Sequence, residues 1–199
     1  IHNVTGLQSG DKAPMLLFYT AAGDRNMLSM GKGRTQCLAY SNDGGETFRK
    51  YGGNPVIDHV ISYNRDPKIV WVEEIKKYGF FVSDNMINWT FLQEIKIANE
   101  SECPDIYRYK VANKNYWVLI GASDKYIVGV FRGGKFVPQT QEKQLSYSPY
   151  SYAGQSFSGI DDGRVIRVAW QKLKMPCLRV PNQMSIPMEM KLKVSDMGC

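Results

Sequence analysis

Histidine and cysteine are scarce in this 199-residue sequence, with two of the first and four of the second. The cysteines, Cys37, Cys103, Cys177 and Cys199, are widely scattered and form no Cys-x-x-Cys pair. That argues against a disulfide framework or a zinc site. His2 and His59 have no ligand spacing around either of them, so no metal and no cofactor is expected. No apolar run approaches the roughly 18 residues of a membrane helix. No glycine loop of the phosphate-binding kind precedes a helical pattern, and long helical periodicity is missing. No positively charged and then apolar segment opens the chain. Its start at Ile1 rather than at methionine fits a mature or truncated piece. Charge is not concentrated either: the net charge is +6, but Lys and Arg are spread through strand-like segments. That pattern fits a solvated basic surface, with no nucleic acid and no membrane as partner. The 43% hydrophobic content is enough for one globular domain spanning residues 1–199.

What is present reads as β-structure throughout. Met15 to Thr20 is a short apolar run ended by Ala21-Ala22-Gly23-Asp24. Gln36 to Ser41 is a second strand, followed by the turn Asn42-Asp43-Gly44-Gly45. Ile69 to Val72, Tyr78 to Val82, Tyr116 to Ile120, Ile127 to Phe131 and Val165 to Trp170 continue the pattern. β-Branched and aromatic residues bounded by Gly, Asn, Asp and Pro are the signature of strands and turns. Residues 72–77, rich in Glu and Lys, fit either one helical turn or a hairpin turn. A weak repeat joins Tyr40–Phe48 to Val82–Thr90 at an offset of about 42 residues, with Phe131–Phe136 as a looser third copy. A period of about 40 to 50 residues with four short strands per unit suggests propeller blades, and a chain of this length holds about four. The first copy has the Ser-x-Asp-x-Gly-x-Thr-aromatic form of the Asp box of sialidase-like propellers, a structural turn in which Ser and Asp bond nearby backbone groups.

Two segments carry candidate chemistry. One is Glu102-Cys103-Pro104-Asp105; the other, about 36 residues upstream, is Asn64-Arg65-Asp66-Pro67-Lys68. Together they supply carboxylates and an arginine beside prolines. Glycoside hydrolysis needs a pair of carboxyl groups flanking the scissile bond. A proline fixes its own φ and restricts the residue before it, which suits a carboxylate that must point into a pocket. The competing reading is a pair of solvated Asp-Pro turns. Cys103 lies inside the acidic motif but has no histidine in a triad-like context, so a buried, inert thiol is expected. Three Asn-x-Ser/Thr sequons, at Asn3, Asn88 and Asn99, matter only in a eukaryotic secretory host.

The order of segments extends the case. Thr35–Phe48 runs on to Asn54-Pro55-Val56-Ile57. The Arg-Asp-Pro and Glu-Cys-Pro-Asp motifs follow, then Tyr152-Ala153-Gly154-Gln155-Ser156-Phe157, Gly163–Trp170 and Gln183–Met190. In this order the chain resembles glycoside hydrolase family 32, the invertases, levanases and inulinases. The resemblance implies an all-β fold, a five-bladed β-propeller followed by a β-sandwich. It implies Glu102 as general acid/base and Asp66 as transition-state stabiliser, with both carboxyls expected at one end of a central funnel. Arg65 would hold the carboxylates or form a structural pair. Asp105 would orient Arg65 or the strand end while belonging to the substrate-binding set. Tyr152 and Gln155 match a pocket-lining segment, though each suits packing as well. Trp170 is either a sugar-stacking face or core. The implied partner is a fructose-containing oligo- or polysaccharide, and an extracellular or periplasmic setting is expected over a cytoplasmic one.

The resemblance also implies departures. The family's Trp-x-Asn-Asp-Pro-Asn-Gly motif, whose Asp is the nucleophile, does not occur in these residues. The propeller is therefore expected to be incomplete, lacking its first blade and the sandwich, with exposed blade edges able to associate with another chain. After Lys77 a strand and turn of the family pattern are also missing, by deletion or by a gap in the sequence. Two further readings stay open: a non-catalytic carbohydrate-binding propeller that lost its nucleophile, and a sialidase-like hydrolase resting on the Asp box alone. Sucrose, inulin and levan are equally compatible substrates.

Overall fold

The computed structural model describes residues 4–61, 64–72, 77–78, 80–100, 102–173 and 182–193. Cys177 and Cys199, His2 and the sequon at Asn3 lie outside them. The fold is all-β. The only helical element among the described residues is a single 3-10 turn, Met27–Ser29. Contacts divide the chain into two compact units, Ile1–Ile95 with Gly133–Lys135, and Lys96–Arg132 with Phe136–Cys199.

In the first unit, β1 (Met15–Ala21) pairs antiparallel with β2 (Thr35–Ser41) over its whole length, from Met15↔Ser41 to Ala21↔Thr35. β3 (Arg49–Lys50) adds to the other side of β2. β2 is the buried strand, with Cys37, Leu38 and Ala39 in the core. Beyond β3, side-chain amide groups continue the ladder. Asn54 Nδ2 donates to Leu38 O and its Oδ1 accepts from Leu38 N–H, both at 2.8 Å. β4 (Trp71–Val72) and β5 (Lys77–Tyr78) pair antiparallel, as do β6 (Phe81–Val82) and β7 (Thr90–Phe91). The run expected as one strand from Tyr78 to Val82 is thus two strands. Residues 73–76, expected as a helical or hairpin turn, lie outside the described residues.

The second unit holds two sheets. β8 (Asp105–Val111), β9 (Lys114–Ile120), β10 (Lys125–Arg132) and β11 (Lys135–Pro138) lie in the order β11-β10-β9-β8, and β12 (Lys143–Gln144) also pairs with β10. β13 (Ser151–Ser156) and β15 (Gln183–Met184) flank β14 (Val165–Gln171), which also pairs with β16 (Met188–Met190). Alternate residues build the core between these sheets. Tyr107, Val118, Ile120 and Val128 from the first meet Val165 from the second, with Tyr109, Tyr116, Tyr126 and Met190 around them. Burial pushes the Tyr107 hydroxyl well above the ordinary tyrosine pKa and that of Tyr109 up to about 12, the latter also through Glu189. On the opposite face of β9 and β10, Trp117 and Phe131 meet edge-on at 5.4 Å.

The repeat is visible as two turns with one hydrogen-bond logic. In the first, Ser41 Oγ accepts from the N–H groups of Asp43 (3.3 Å) and Gly45 (2.9 Å), and donates to Asp43 Oδ1 at 2.6 Å. Asp43 in turn takes the Thr47 N–H and hydroxyl. In the second, Ser83 Oγ accepts from Asn85 and Met86, and Asn85 Oδ1 accepts from Ile87 and Asn88. The second turn closes one residue sooner, and buried Met86 takes the positive φ (60°) that glycines hold in the first. The looser third copy is a different turn: Gly133 and Gly134 alone join β10 to β11, with no serine or carboxylate in the turn. In the first turn the Ser41 hydroxyl, then Thr47, holds the Asp43 carboxyl far below the usual carboxylate range. A carboxylate whose folded pKa is depressed adds stability above its unfolded pKa, and loses it as pH falls toward the folded value. Asp43→Asn, which copies the second turn, should therefore lower the melting temperature at pH 7. The gap should narrow once pH drops below about 4; a gap that stays constant to pH 3 would show the charge is not what matters.

Candidate functional site

In the second unit the acidic motif enters β8 directly. Asp105 opens that strand fully buried, and its carboxylate accepts the Ser156 N–H at 2.6 Å and the Ser156 hydroxyl at 3.1 Å. A buried carboxylate needs such donors, so here Asp105 pins the end of β13 to the start of β8. Glu102, three residues earlier, is half-buried, and one of its carboxylate oxygens accepts the Tyr152 hydroxyl. Gln155 donates to the carbonyls of Cys103 (3.1 Å) and Pro104 (3.3 Å). Cys103, expected to be a buried thiol, is of intermediate exposure.

Tyr152 and Gln155 are three apart, and in a regular strand they would face opposite ways. β13 carries a bulge between them: Tyr152 pairs with Trp170 but Gln155 pairs with Val168, so one residue is extra. Ala153 takes φ 49° at the bulge. The bulge turns both side chains to the acidic motif, a re-aiming role that bulges serve near functional sites. Gly154 is required here. A Cβ at this position would overlap the Arg167 guanidinium, which lies against it. Arg167 is paired at 2.5 Å with Asp124, and about 1% of either side chain is exposed. Tyr152 is further fixed by Lys172, whose ammonium lies 3.0 Å from the ring centroid, and by Trp170 edge-on at 6.1 Å. Trp170 is 37% exposed on the half-open face of β14.

The same turn that supplies Asp124 anchors the approach to Glu102. Glu100 accepts the N–H groups of Ser123 (3.0 Å) and Lys125 (3.2 Å). Lys125 Nζ donates to Ala98 O at 3.0 Å, and Glu142 accepts the Ala98 N–H at 2.8 Å. Ala122 O accepts the N–H of bulge residue Ala153 at 2.7 Å.

In the first unit, Arg65 and Asp66 form a half-exposed ion pair at 3.5 Å. The Asp66 N–H donates to Thr20 Oγ1 at 3.2 Å, Thr20 donates to Gln36 Oε1 at 2.9 Å, and Gln36 Nε2 donates to Asn64 O at 2.9 Å. The prolines do not impose the extended backbone that they favour in a preceding residue. Asp66 has φ 60° and Cys103 has φ 47°, so both motifs hold a residue in the left-handed region beside a proline.

The structure thus gathers Glu102, Asp105, Tyr152, Gln155 and Trp170 within the second unit, and Arg65 with Asp66 within the first. Sequence reasoning missed Glu100, Asp124, Arg167 and Lys172. Arg167 did leave a signal. It interrupts the apolar run Val165-Ile166-Arg167-Val168-Ala169 at a position facing the core, where a charge requires a buried partner. Glu100 left none, because its acceptor role depends on a turn some 23 residues away.

The family model described as "Glycosyl hydrolases family 32 N-terminal domain" matches residues 4–197. Among curated relatives, the levanase of Bacillus subtilis is 30% identical across 99% of this chain and 34% of its own length. The invertase of Schizosaccharomyces pombe is 32% identical across 85% of this chain and 34% of its own. This chain spans about a third of the length of those relatives. Among solved structures, a variant fructofuranosidase from Schwanniomyces occidentalis complexed with fructosylnystose superposes with a TM-score of 0.75 at 25% identity. It covers 94% of this chain and 42% of that one. The same organism's enzyme complexed with fructose gives a TM-score of 0.69 at 28% identity, over 85% of this chain and 38% of that one.

Gly154→Ala should destabilise the protein by about 1–3 kcal/mol, the cost of overpacking beside a buried group. Gly52→Ala, where an added Cβ meets nothing within 4 Å, should change stability by less than about 0.5 kcal/mol. Urea unfolding of both variants compares them, and equal effects would mean that the bulge is not constrained by Arg167.

Proposed function

Because the chain belongs to the family 32 glycosyl hydrolases, we propose that the protein is a β-fructosidase, a retaining glycoside hydrolase acting on sucrose, inulin or levan. The observation that carries the reading is the half-buried Glu102 carboxylate, held by the Tyr152 hydroxyl at the mouth of β8 within the family's acidic motif. A carboxyl group that must give and then take a proton needs one fixed orientation; Tyr152 supplies it, and Lys172 and Trp170 supply the orientation of Tyr152.

In this reading Glu102 protonates the leaving-group oxygen, then deprotonates the water that releases fructose. Asp66 accepts hydrogen bonds from the fructosyl hydroxyls, which tighten as positive charge develops on the ring. Arg65 orients Asp66 through their ion pair. Gln155 and Trp170 lie on the sugar-facing side, Gln155 with its amide spent on the motif backbone and Trp170 with an exposed face for C–H stacking. Asp105 works from behind as a positioning residue. The sheets are read as blades of a five-bladed propeller, of which these residues supply about four.

The nucleophile of the family's Trp-x-Asn-Asp-Pro-Asn-Gly segment is not among the 199 residues. The second reading is a fructan-binding propeller that does not hydrolyse, and it holds if the intact protein carries no such nucleophile.

Two measurements separate these. In the intact protein, Glu102→Gln should slow sucrose hydrolysis by about 10²–10⁴-fold, and slow an aryl fructoside with a good leaving group much less. Equal losses on both substrates would remove Glu102 from the acid role. A polypeptide of only these 199 residues should release no fructose from sucrose, since a retaining enzyme needs a nucleophile roughly 5 to 5.5 Å from its acid/base. Fructose release by a protein whose intact mass is 22.6 kDa would locate the nucleophile among the residues present.

A further inference from the structure

At the Ala21–Thr35 end of the first sheet lies a groove of about 680 Å³, within the size range of ligand sites. We propose that it binds sugar units of a fructan chain beyond those joined by the reacting bond, so that it sets preference for long substrates over sucrose. This rests on the fructosidase reading. The polar residues lining it are Asn26, Ser29, Lys32, Thr35, Asp58 and His59.

The groove is built rather than incidental. Its lip, residues 22–33, is tied to itself. Asp24 Oδ1 accepts the Gly31 N–H at 2.6 Å, the Asp24 N–H donates to Ser29 O at 2.8 Å, and Asn26 caps the 3-10 turn through Leu28 and Ser29. Gly33 lies so close beneath the His59 ring that a Cβ would overlap it. The His59 Nδ1 is 3.1 Å from Arg34 O.

The groove also shares its frame with Asp66. Asn64 Nδ2 donates to Asp58 O at 3.2 Å and to Arg34 O at 3.4 Å, tying the Asn-Arg-Asp-Pro segment to both walls. Thr20, which receives the Asp66 N–H, adjoins lining residue Ala21. The Asp-box turn sits at the other end of β2, so the two ends of this sheet divide between a structural turn and a ligand-facing edge.

The chemistry of the lining selects a neutral polyol. Asp58 offers a carboxylate that accepts from hydroxyls, Lys32 an ammonium that donates to them, and His59 a ring edge that can do either. One carboxylate and one ammonium lining the same groove offset each other in charge, so the lining does not favour an ionic ligand.

The test uses the intact protein and its Asp58→Ala and Lys32→Ala variants. For each, kcat/KM is measured on sucrose and on inulin or levan, alongside the melting temperature. The fructan-to-sucrose ratio of kcat/KM should fall about tenfold in both variants, mainly through KM on the fructan. An unchanged ratio, or equal losses on both substrates, overturns the proposal. Calorimetric binding of a fructo-oligosaccharide to Glu102→Gln, with and without Asp58→Ala, separates the two readings. A parent that hydrolyses neither substrate but whose Glu102→Gln form binds less tightly with Asp58→Ala sinks the fructosidase reading alone. Binding that Asp58→Ala leaves intact sinks the groove.

Discussion

The turn from β9 into β10, Gly121 to Lys125, spends polar groups on the rest of the second unit. Asp124, at φ 67°, pairs its carboxylate with Arg167, and its carbonyl accepts the Leu145 N–H at 2.9 Å. Ala122 O holds the bulge at Ala153, and the N–H groups of Ser123 and Lys125 hold Glu100. The strand that presents Tyr152 and the segment that leads to Glu102 are therefore referenced to one turn. The buried pair makes this arrangement unforgiving. Removing one partner strands the other charge at a cost of about 3–5 kcal/mol. The guanidinium also occupies space that any larger residue at position 154 would need.

Three of the nine non-glycine residues recorded with positive φ, Asp66, Cys103 and Ala153, lie where the chain presents the candidate site. Each such conformation costs on the order of 1–3 kcal/mol and persists only where the surroundings over-determine it. They do so here through named contacts: Thr20 on the Asp66 N–H, Gln155 on Cys103 O, and Ala122 on the Ala153 N–H. All three lie in, or beside, segments that carry a site residue.

Most of the long strands were legible in the sequence. Met15–Ala21, Thr35–Ser41, Lys114–Ile120, Lys125–Arg132 and Val165–Gln171 all read as apolar runs, and the Ser-x-Asp turn and its copy were visible as a spacing. The two strands that build the candidate site were not. β8 begins with a charged residue and alternates Arg108 and Lys110 outward, so its apolar signal is thin. β13 is Ser-Tyr-Ala-Gly-Gln-Ser, which carries no apolar run, and at Gly154 the volume a side chain would need belongs to Arg167. Glu102 and Asp66 stood out by motif. Their supports, Glu100, Asp124 and Lys172, act across separations that local pattern does not encode. The family resemblance filled part of that gap by naming Tyr152 and Gln155, yet it gave no hint that a bulge is what turns them to one side.

The central claim is that the Gly121–Lys125 turn sets the position of Glu102 through Tyr152. Under the fructosidase reading, a double-mutant cycle in the intact protein tests it most directly, with kcat on sucrose measured for Asp124→Asn, Tyr152→Phe and the pair. If the turn acts through Tyr152, Asp124→Asn slows the parent enzyme but adds little once the hydroxyl is gone, leaving a coupling energy of about 0.5–3 kcal/mol. Losses that simply add would contradict the account.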